Sequence, residues 1–242
     1  MSTVKISKKT QSILKNFATI NKSIVIDPGS RIRTISVNRN IYASVEVTEK
    51  FPQQVPIYDL GLFLSGLSLF ENPIFDFSDP QKLEIKDEVH QAKTQYYYSD
   101  PDIITKPPSK ELDIPGVDVE FTLRTDTLAD LLRAASVYQV PDLCLYNGGG
   151  NINLQVCDKK NETSNTFSVP VGVLDSPEDE FCYCFKVENL RLLPGDYKVR
   201  IAKNKIGHFQ STSTDLEYYI ALEPKGKWLN LTSSQFQFIS TQ

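Results

Sequence analysis

The chain has 242 residues, a formal net charge of −4 at pH 7 and a sequence pI near 5.3. That length suits two domains of about 120 residues each, and the acidic total argues against simple wrapping by nucleic acid. A negative net charge does not exclude a cluster of basic residues on one face, because the electrostatic field is local while net charge is a sum. The amino terminus has no apolar signal core, and the longest apolar stretch, residues 60–70, is about half a membrane span. The sequence therefore predicts a soluble intracellular protein.

The four cysteines, Cys144, Cys157, Cys182 and Cys184, all lie in the C-terminal half. None belongs to a Cys-x-x-Cys pair, and the chain has only two histidines, so the spacings typical of zinc sites are absent from the sequence. A few cysteines without paired spacing are typical of reduced thiols in a cytosol. We therefore expect free thiols, no metal site and no cofactor.

In the N-terminal half, the first predicted element is a helix at residues 8–17, with Ser7 as its N-cap and apolar residues at helical spacing. A second helix, at residues 59–70, is apolar nearly all round, which indicates packing on several sides. Strands are predicted at residues 23–26, 31–36, 41–47, 74–77 and 94–98.

The next segment, residues 99–118, contains four prolines without periodicity and is typical of a linker. After it, Thr125 is expected to cap a helix at residues 126–137, and a shorter helix is expected at residues 187–192. The apolar stripe of the longer helix is predicted to consist of Leu128, Leu131, Leu132 and Ala135. Gly148, Gly149 and Gly150 indicate a hairpin turn. Strands are predicted at residues 120–123, 143–146, 152–156, 181–185, 197–201 and 218–222.

The order of elements repeats on the two sides of the linker. The first helices align, with Ser7 over Thr125 and Ile13 over Leu131. Chance similarity of two amphipathic helices is the alternative, but a repeat at this length predicts two copies of one α+β fold, with helices on one face of antiparallel sheets. We place the first domain at residues 1–110, the second at 111–225 and a tail at 226–242.

Catalytic motifs are missing from this sequence. It contains no GxSxG elbow, HExxH helix, P-loop or GxGxxG turn after a strand. An acidic loop at residues 175–180 could in principle do acid–base chemistry, but no partner histidine accompanies it, and a solvated loop is the commoner case. The sequence favours a protein that is not an enzyme.

The first helix carries the clearest functional signal. Lys8 and Lys15 are seven residues apart and lie opposite the apolar stripe, and Lys22 continues the same line. No acidic residue precedes residue 26, so this face can contact phosphates without reading sequence. An ordinary solvated face is the alternative. Arg133 on the third helix, with two aspartates near it, and Arg191 on the short fourth helix are weaker candidates.

Several blocks of this sequence resemble the sliding clamps of T-even-type tailed phages. They are KISKKTQSILKNFATIN (residues 5–21), VPIYDLGLFLSGLSLF (55–70), LADLLRAAS (128–136), LLPGDYKV (192–199) and EYYIALE (217–223). The blocks occur in the right order and cover most of residues 5–224. The near-identity within LKNFATIN, together with the collinear blocks, makes this a specific signal. Residues 161–176 and the tail from residue 225 depart from the pattern.

The resemblance implies a ring-forming, non-enzymatic processivity factor that closes as a homotrimer around duplex DNA and tethers a phage DNA polymerase. Residues implied to face the channel are Lys8, Lys15, Lys22, Arg133 and Arg191. A pocket for a short partner peptide is implied to draw on Ile41, Leu112, Ile114, Ala221 and Pro224. The family further implies an ATP-dependent clamp loader, late-transcription factors as additional partners, and a location in the cytoplasm of the infected bacterial host.

Two other functions fit parts of the sequence. One is a single-stranded nucleic-acid-binding protein that uses Tyr96, Tyr97 and Tyr98 for base stacking. Consecutive strand residues alternate faces, so the three rings cannot form one platform. The other is a β-rich virion structural protein, which an acidic pI and many strands would also suit. A closed trimer in solution favours the clamp over both.

Overall fold

The computed structural model describes residues 3–87, 91–108, 112, 114, 116–176, 180–202 and 206–223. Pro224 and the tail therefore lie outside the described residues, as do residues 177–179 of the acidic loop. The chain forms two compact units. The first unit comprises Met1–Glu111, Arg191–Leu193 and Asp215–Tyr218, and the second unit comprises Leu112–Leu190, Pro194–Thr214 and Tyr219–Gln242. The domain limits inferred from the sequence stay a prediction.

Two helices and eight strands make up the described part of the first unit. The helices are α1 (Lys8–Ile20) and α2 (Leu60–Leu67), and a 3-10 helix follows at Pro101–Ile103. The strands are β1 (Thr3–Lys5), β2 (Ile24–Ile26), β3 (Gly29–Ile35), β4 (Ile41–Phe51), β5 (Val55–Ile57), β6 (Pro73–Asp76), β7 (Lys82–Asp87) and β8 (Lys93–Tyr97). One antiparallel sheet has the order β1-β6-β7-β8, while β2 pairs with β5 and β3 with β4.

The core of the first unit follows the predicted apolar stripe of α1. Leu14 and Phe17 are completely buried, and α1 packs against α2, β3 and β4. Ser7 caps the helix as predicted, because its hydroxyl oxygen accepts a hydrogen bond from the backbone N–H of Thr10 at 3.1 Å. The helix runs three residues further than predicted, since buried Ile20 extends the same stripe.

One helix and eight strands account for the described part of the second unit, and the division between the units falls within the last strand. The helix is α3 (Thr125–Tyr138), and a 3-10 helix lies at Val187–Asn189. The strands are β9 (Val117–Leu123), β10 (Asp142–Gly148), β11 (Asn151–Cys157), β12 (Phe167–Val173), β13 (Cys182–Lys186), β14 (Tyr197–Ala202), β15 (Ile206–Ser211) and β16 (Glu217–Ala221). One antiparallel sheet has the order β12-β11-β10-β13, and a second contains β16, β15, β14 and β9 as successive neighbours.

The predicted α+β fold is confirmed, and so are two local interpretations in the second unit. Leu128, Leu131 and Ala135 form the buried stripe of α3, which packs on β11 and β12. The triple glycine makes the β10–β11 hairpin turn, in which Gly149 and Gly150 both have positive φ, at 66° and 89°. Those angles cost glycine little and are the ones that a two-residue hairpin requires.

Three local predictions for the second unit are wrong. Thr125 begins α3 but does not cap it; Asp196 instead accepts hydrogen bonds from the Thr125 N–H at 2.8 Å and its hydroxyl at 3.0 Å. The short helix expected at residues 187–192 is a single 3-10 turn. Cys144 and Cys184 form a disulfide, because they lie directly opposite each other on β10 and β13, whereas Cys157 and Cys182 are not part of a disulfide.

Candidate nucleic-acid interface and partner pocket

A row of exposed lysines follows one side of α1 and continues past its end. Lys8 and Lys15 project about 20° apart around the helix axis, opposite the buried stripe. Lys22, just beyond the helix, has its ammonium 5.7 Å from the centre of the Tyr58 ring, within range of a cation–π contact. Within the described part of the chain, none of these three lysines takes part in an ion pair. The row, called the lysine row below, therefore keeps its positive charge.

The N-terminal end of α1 is fastened by a buried carboxylate. Glu49 on β4 is 6% exposed and accepts hydrogen bonds from the Ser7 N–H and the Thr10 hydroxyl, each at 2.7 Å. Burial raises the pKa of the Glu49 carboxyl, but the hydrogen bonds from Ser7 and Thr10 outweigh it and hold that pKa below its usual value. The first turn of α1 contains no acid of its own, so Glu49 supplies the negative charge that a helix N-terminus favours. This charge faces inward, away from the lysine row.

The C-terminal end of α1 is held by Arg191. This exposed residue belongs to the first unit, and its guanidinium donates a hydrogen bond to the backbone carbonyl of Thr19. The Asn16 side chain donates to the backbone carbonyl of Arg191 at 2.9 Å and accepts from the Tyr218 hydroxyl at 2.8 Å. Because Arg191 follows the 3-10 helix instead of lying on it, its predicted place on a helix is wrong. Its charge nonetheless lies beside the end of the lysine row.

The exposed side of α3 is closer to neutral. The Arg133 guanidinium lies 2.7 Å from the Asp130 carboxylate, and Arg124, just before the helix, lies 3.4 Å from Asp126. All four side chains are at least half exposed. Exposed ion pairs of this kind contribute little stability, but each cancels a positive charge within a few ångströms. Arg133, placed in the second unit, therefore contributes less positive potential than the residues of the lysine row.

Four of the five residues expected in the partner pocket are described. Leu112, Ile114 and Ala221 are half-buried and belong to the second unit, whereas Ile41 is buried in the first unit and Pro224 lies outside the described residues. On β16, Ala221 shares a face with Tyr219, two residues earlier. The Tyr219 hydroxyl donates a hydrogen bond to the backbone carbonyl of Leu112 at 3.2 Å. This contact brings Leu112 to the face of β16 that carries Ala221.

Two negative findings apply to the described residues. Among them, no group of three or more His, Cys, Asp or Glu side chains is arranged to hold a metal ion. No helix in this part of the chain has the length and apolar character needed to span a membrane.

Comparison with known proteins decides the family. Residues 5–98 match the family model for DNA polymerase processivity factors, and residues 120–224 match that for the C-terminal part of the gp45 sliding clamp. The chain is 36% identical over 226 residues to the sliding clamp of Vibrio phage KVP40, covering 91% of this chain and 99% of that protein. The chain belongs to the sliding-clamp family. The sliding clamp of Enterobacteria phage T4 is 30% identical over 226 residues, which cover 91% of this chain and 97% of that protein. The resemblance inferred from the sequence is thus confirmed. The family is one of non-enzymatic DNA polymerase processivity factors, as the sequence predicted.

Solved structures support the clamp fold. PCNA of A. fulgidus, bound to the C-terminal region of FEN-1, superposes with a TM-score of 0.69 at 11% identity, covering 94% of this clamp and all of that chain. The PCNA2–PCNA3 complex from Sulfolobus tokodaii gives a TM-score of 0.67 at 13% identity, and the match covers 92% of this clamp and 99% of that chain. At such low identity the likeness concerns the fold alone.

Sequence reasoning located the lysines of this clamp but missed the residues that hold α1. Glu49, Asn16 and Tyr218 give no signal in the sequence, because each contacts a residue far away along the chain. The apolar periodicity that located α1 is a local property and cannot reveal such partners.

Proposed function

We propose that this sliding clamp closes as a homotrimeric ring around duplex DNA and tethers the phage DNA polymerase without a sequence preference. The observation that carries the proposal is the lysine row, a positive face that stays uncancelled on a protein with a net charge of −4. Contacts from lysine to phosphate carry no sequence information, so they suit a protein that moves along DNA. Encirclement replaces affinity as the reason for staying bound, and therefore a few exposed cations suffice.

Open sheet edges support the ring. Within the described residues, β8 pairs only with β7 in the first unit, and β12 pairs only with β11 in the second. Such edges favour pairing with another chain, and Pro170 within β12 is a residue tolerated at an edge. We infer that β8 of one copy pairs with β12 of the next. A head-to-tail contact of this kind closes by rotation, and three copies give C3 symmetry.

The partner pocket is part of the same proposal. The half-buried apolar side chains of Leu112, Ile114 and Ala221 would receive a short apolar segment of the polymerase, with Ile41 and Pro224 as further candidates. The hydrogen bond from Tyr219 to Leu112 supports this grouping in the second unit. Arg133 and Arg191 would join the lysine row in facing DNA. We further propose that an ATP-dependent loader places the clamp on DNA, that late-transcription factors are additional partners, and that the clamp acts in the cytoplasm of the infected bacterial host.

Light scattering together with DNA retention tests this function. We expect a mass three times that of the 27.4 kDa chain, and retention on circular DNA that is lost when the circle is cut. Retention unaffected by cutting would indicate ordinary binding and would contradict encirclement. The placement of the tyrosine rings disfavours single-strand stacking: Tyr96 packs edge-on against Phe63 at 5.0 Å, while neighbouring Tyr97 is exposed.

A further inference from the structure

Tyr219 is placed to hold Leu112, the residue that begins the second unit. The residue is 9% exposed, and its ring lies 4.5 Å from the ring of His208 on β15, which is itself buried. Two packed rings on neighbouring strands fix the direction of the hydroxyl that donates to the Leu112 carbonyl. The bond therefore joins a rigid sheet to a residue outside any helix or strand.

Tyr183 makes a second hydrogen bond, whose acceptor lies close in sequence to Leu112. Its hydroxyl donates to the Asp118 carboxylate at 2.6 Å, a distance typical of a charge-assisted hydrogen bond. The Phe181 ring stacks on Tyr183, with ring centres 5.9 Å apart and an angle of 19° between the ring planes. Burial, followed by the hydrogen bond to Asp118, raises the pKa of Tyr183, so this hydroxyl stays a donor across the working pH range.

The two bonds lie on opposite sides of Ile114 along the chain. Leu112 precedes it by two residues, and Asp118 follows it by four. Asp118 lies on β9 and Tyr183 on β13, two strands of different sheets of the second unit. Contacts that hold Leu112 and Asp118 lower the conformational entropy of these two residues before a ligand arrives, and therefore lower the entropic cost of binding.

We propose that Tyr219 and Tyr183 are positioning residues, a tyrosine latch that holds Leu112 and Asp118 and so preorganises the partner pocket around Ile114. This inference rests on the proposed function, because it concerns the pocket assigned there. The ligand that the latch serves is an extended peptide with two apolar anchors. The tyrosines act through the backbone and the Asp118 carboxylate, and they need not touch the peptide.

Replacing each tyrosine by phenylalanine removes the hydroxyl and keeps the ring. For Tyr219→Phe and Tyr183→Phe we expect the Kd of a fluorescent peptide copied from the C-terminus of the cognate polymerase to rise about threefold to tenfold each. Amide hydrogen exchange, measured by mass spectrometry over residues 112–118, should become faster in both variants. Oligomeric mass should match the unsubstituted protein, and the thermal midpoint should fall by only about 2–4 °C, the cost of one lost hydrogen bond. Tyr138→Phe is the matched control, since this exposed tyrosine lies on α3 of the same unit.

The outcomes separate the latch from the pocket. If the unsubstituted clamp binds the peptide while both phenylalanine variants bind equally well, the latch is overturned and the pocket survives. Faster exchange without a change in Kd would also overturn the positioning role. If the unsubstituted clamp does not bind the peptide, the proposed pocket fails and the role of the latch fails with it. Ile114→Asp, which places a charge at the apolar anchor, provides the positive control for lost binding.

Discussion

At the scale of single residues, the charge of each helix depends on where its basic side chains meet a carboxylate. Arg133 forms an ion pair with Asp130 on the exposed side of α3. The carboxylate that bonds to α1 is that of Glu49, which is buried at the start of the helix. A buried acid that accepts several hydrogen bonds contributes to stability, while an exposed ion pair mainly cancels positive potential. The lysine row keeps its positive potential because the carboxylate of Glu49 is buried and, among the residues that the structure describes, forms no ion pair with these lysines.

Glu49→Gln should destabilise the clamp, because a buried carboxylate that accepts hydrogen bonds from Ser7, Thr10 and Thr48 is replaced by a neutral amide. We expect a loss of about 1–3 kcal/mol in the free energy of unfolding, measured by urea denaturation at fixed protein concentration. The folded-state pKa of Glu49 is lowered, so its stabilising contribution is complete above the unfolded pKa and is lost as pH falls toward the folded pKa. The variant should therefore lose less stability on acidification than the unsubstituted protein.

Glu46→Gln is the matched control for that experiment. Glu46 lies on the same strand, and its carboxylate pairs with Arg31 at 3.3 Å on the surface. Its replacement should change the unfolding free energy by less than about 0.5 kcal/mol. Equal pH profiles for the Glu49 variant and the unsubstituted clamp would show that the helix start does not depend on this carboxylate.

The double substitution Lys8→Glu and Lys15→Glu should weaken the clamp's hold on DNA without unfolding it. Both side chains are exposed, so we expect a stability change below about 1 kcal/mol. Product length in a single-turnover primer extension with loader and polymerase should fall sharply. The defect should grow with added salt, because the remaining phosphate contacts weaken.

The control for charge alone is the double substitution Lys106→Glu and Lys160→Glu. These exposed lysines lie away from α1 in sequence, and their replacement changes the net charge by the same amount. Equal product lengths for the two double variants at every salt concentration would mean that the lysine row is an ordinary solvated surface.

At the scale of whole elements, local pattern predicted the helices better than their ends. The apolar stripe of α3 is as predicted, but its start is stabilised by Asp196, far along the chain. The strands that the sequence did not predict are β1, β5, β7, β12 and β15. Two of them have three residues, and β12 contains Pro170, which argues against a strand until its edge position is known.

Asp196→Ala should loosen the first turn of α3, because the Thr125 N–H and hydroxyl both lose their acceptor. The expected cost is about 1 kcal/mol, the usual value for a lost helix cap. Amide exchange in the first turn of α3 should accelerate while that of α1 stays the same. Asp215→Ala, at another exposed aspartate, should leave both helices unchanged, and equal exchange in the two variants would contradict the capping role.

At the scale of the whole molecule, the open edges of β8 and β12 make assembly the natural outcome. A sheet edge left unpaired exposes backbone donors and acceptors to any other strand, so a protein with open edges benefits when a second copy covers them. Because β8 lies in the first unit and β12 in the second, pairing of these two edges suits a head-to-tail contact between copies.

Val173→Asp should weaken the ring and spare the fold. In the single chain, Val173 at the end of β12 is 77% exposed, so an aspartate there costs the monomer little, but a neighbour that covers the edge would have to bury the charge. Light scattering across a dilution series should show the trimer dissociating at higher concentration than the unsubstituted clamp. Val37→Asp, at a valine that is 71% exposed in the turn between β3 and β4, is the control. Identical dissociation of both variants would place the interface elsewhere.

The family, the α+β character and the buried faces of α1 and α3 could all be predicted from the sequence, because periodicity and collinear motifs are properties of neighbouring residues. The sequence also located the lysine row, which depends only on helical spacing. The tertiary structure decided what holds those elements. The hydrogen bonds from Thr10 to Glu49, from Arg191 to Thr19 and from Tyr219 to Leu112 each join residues separated by at least 39 positions. Such partners depend on strand pairing and on the path of the chain, and no local spacing encodes either.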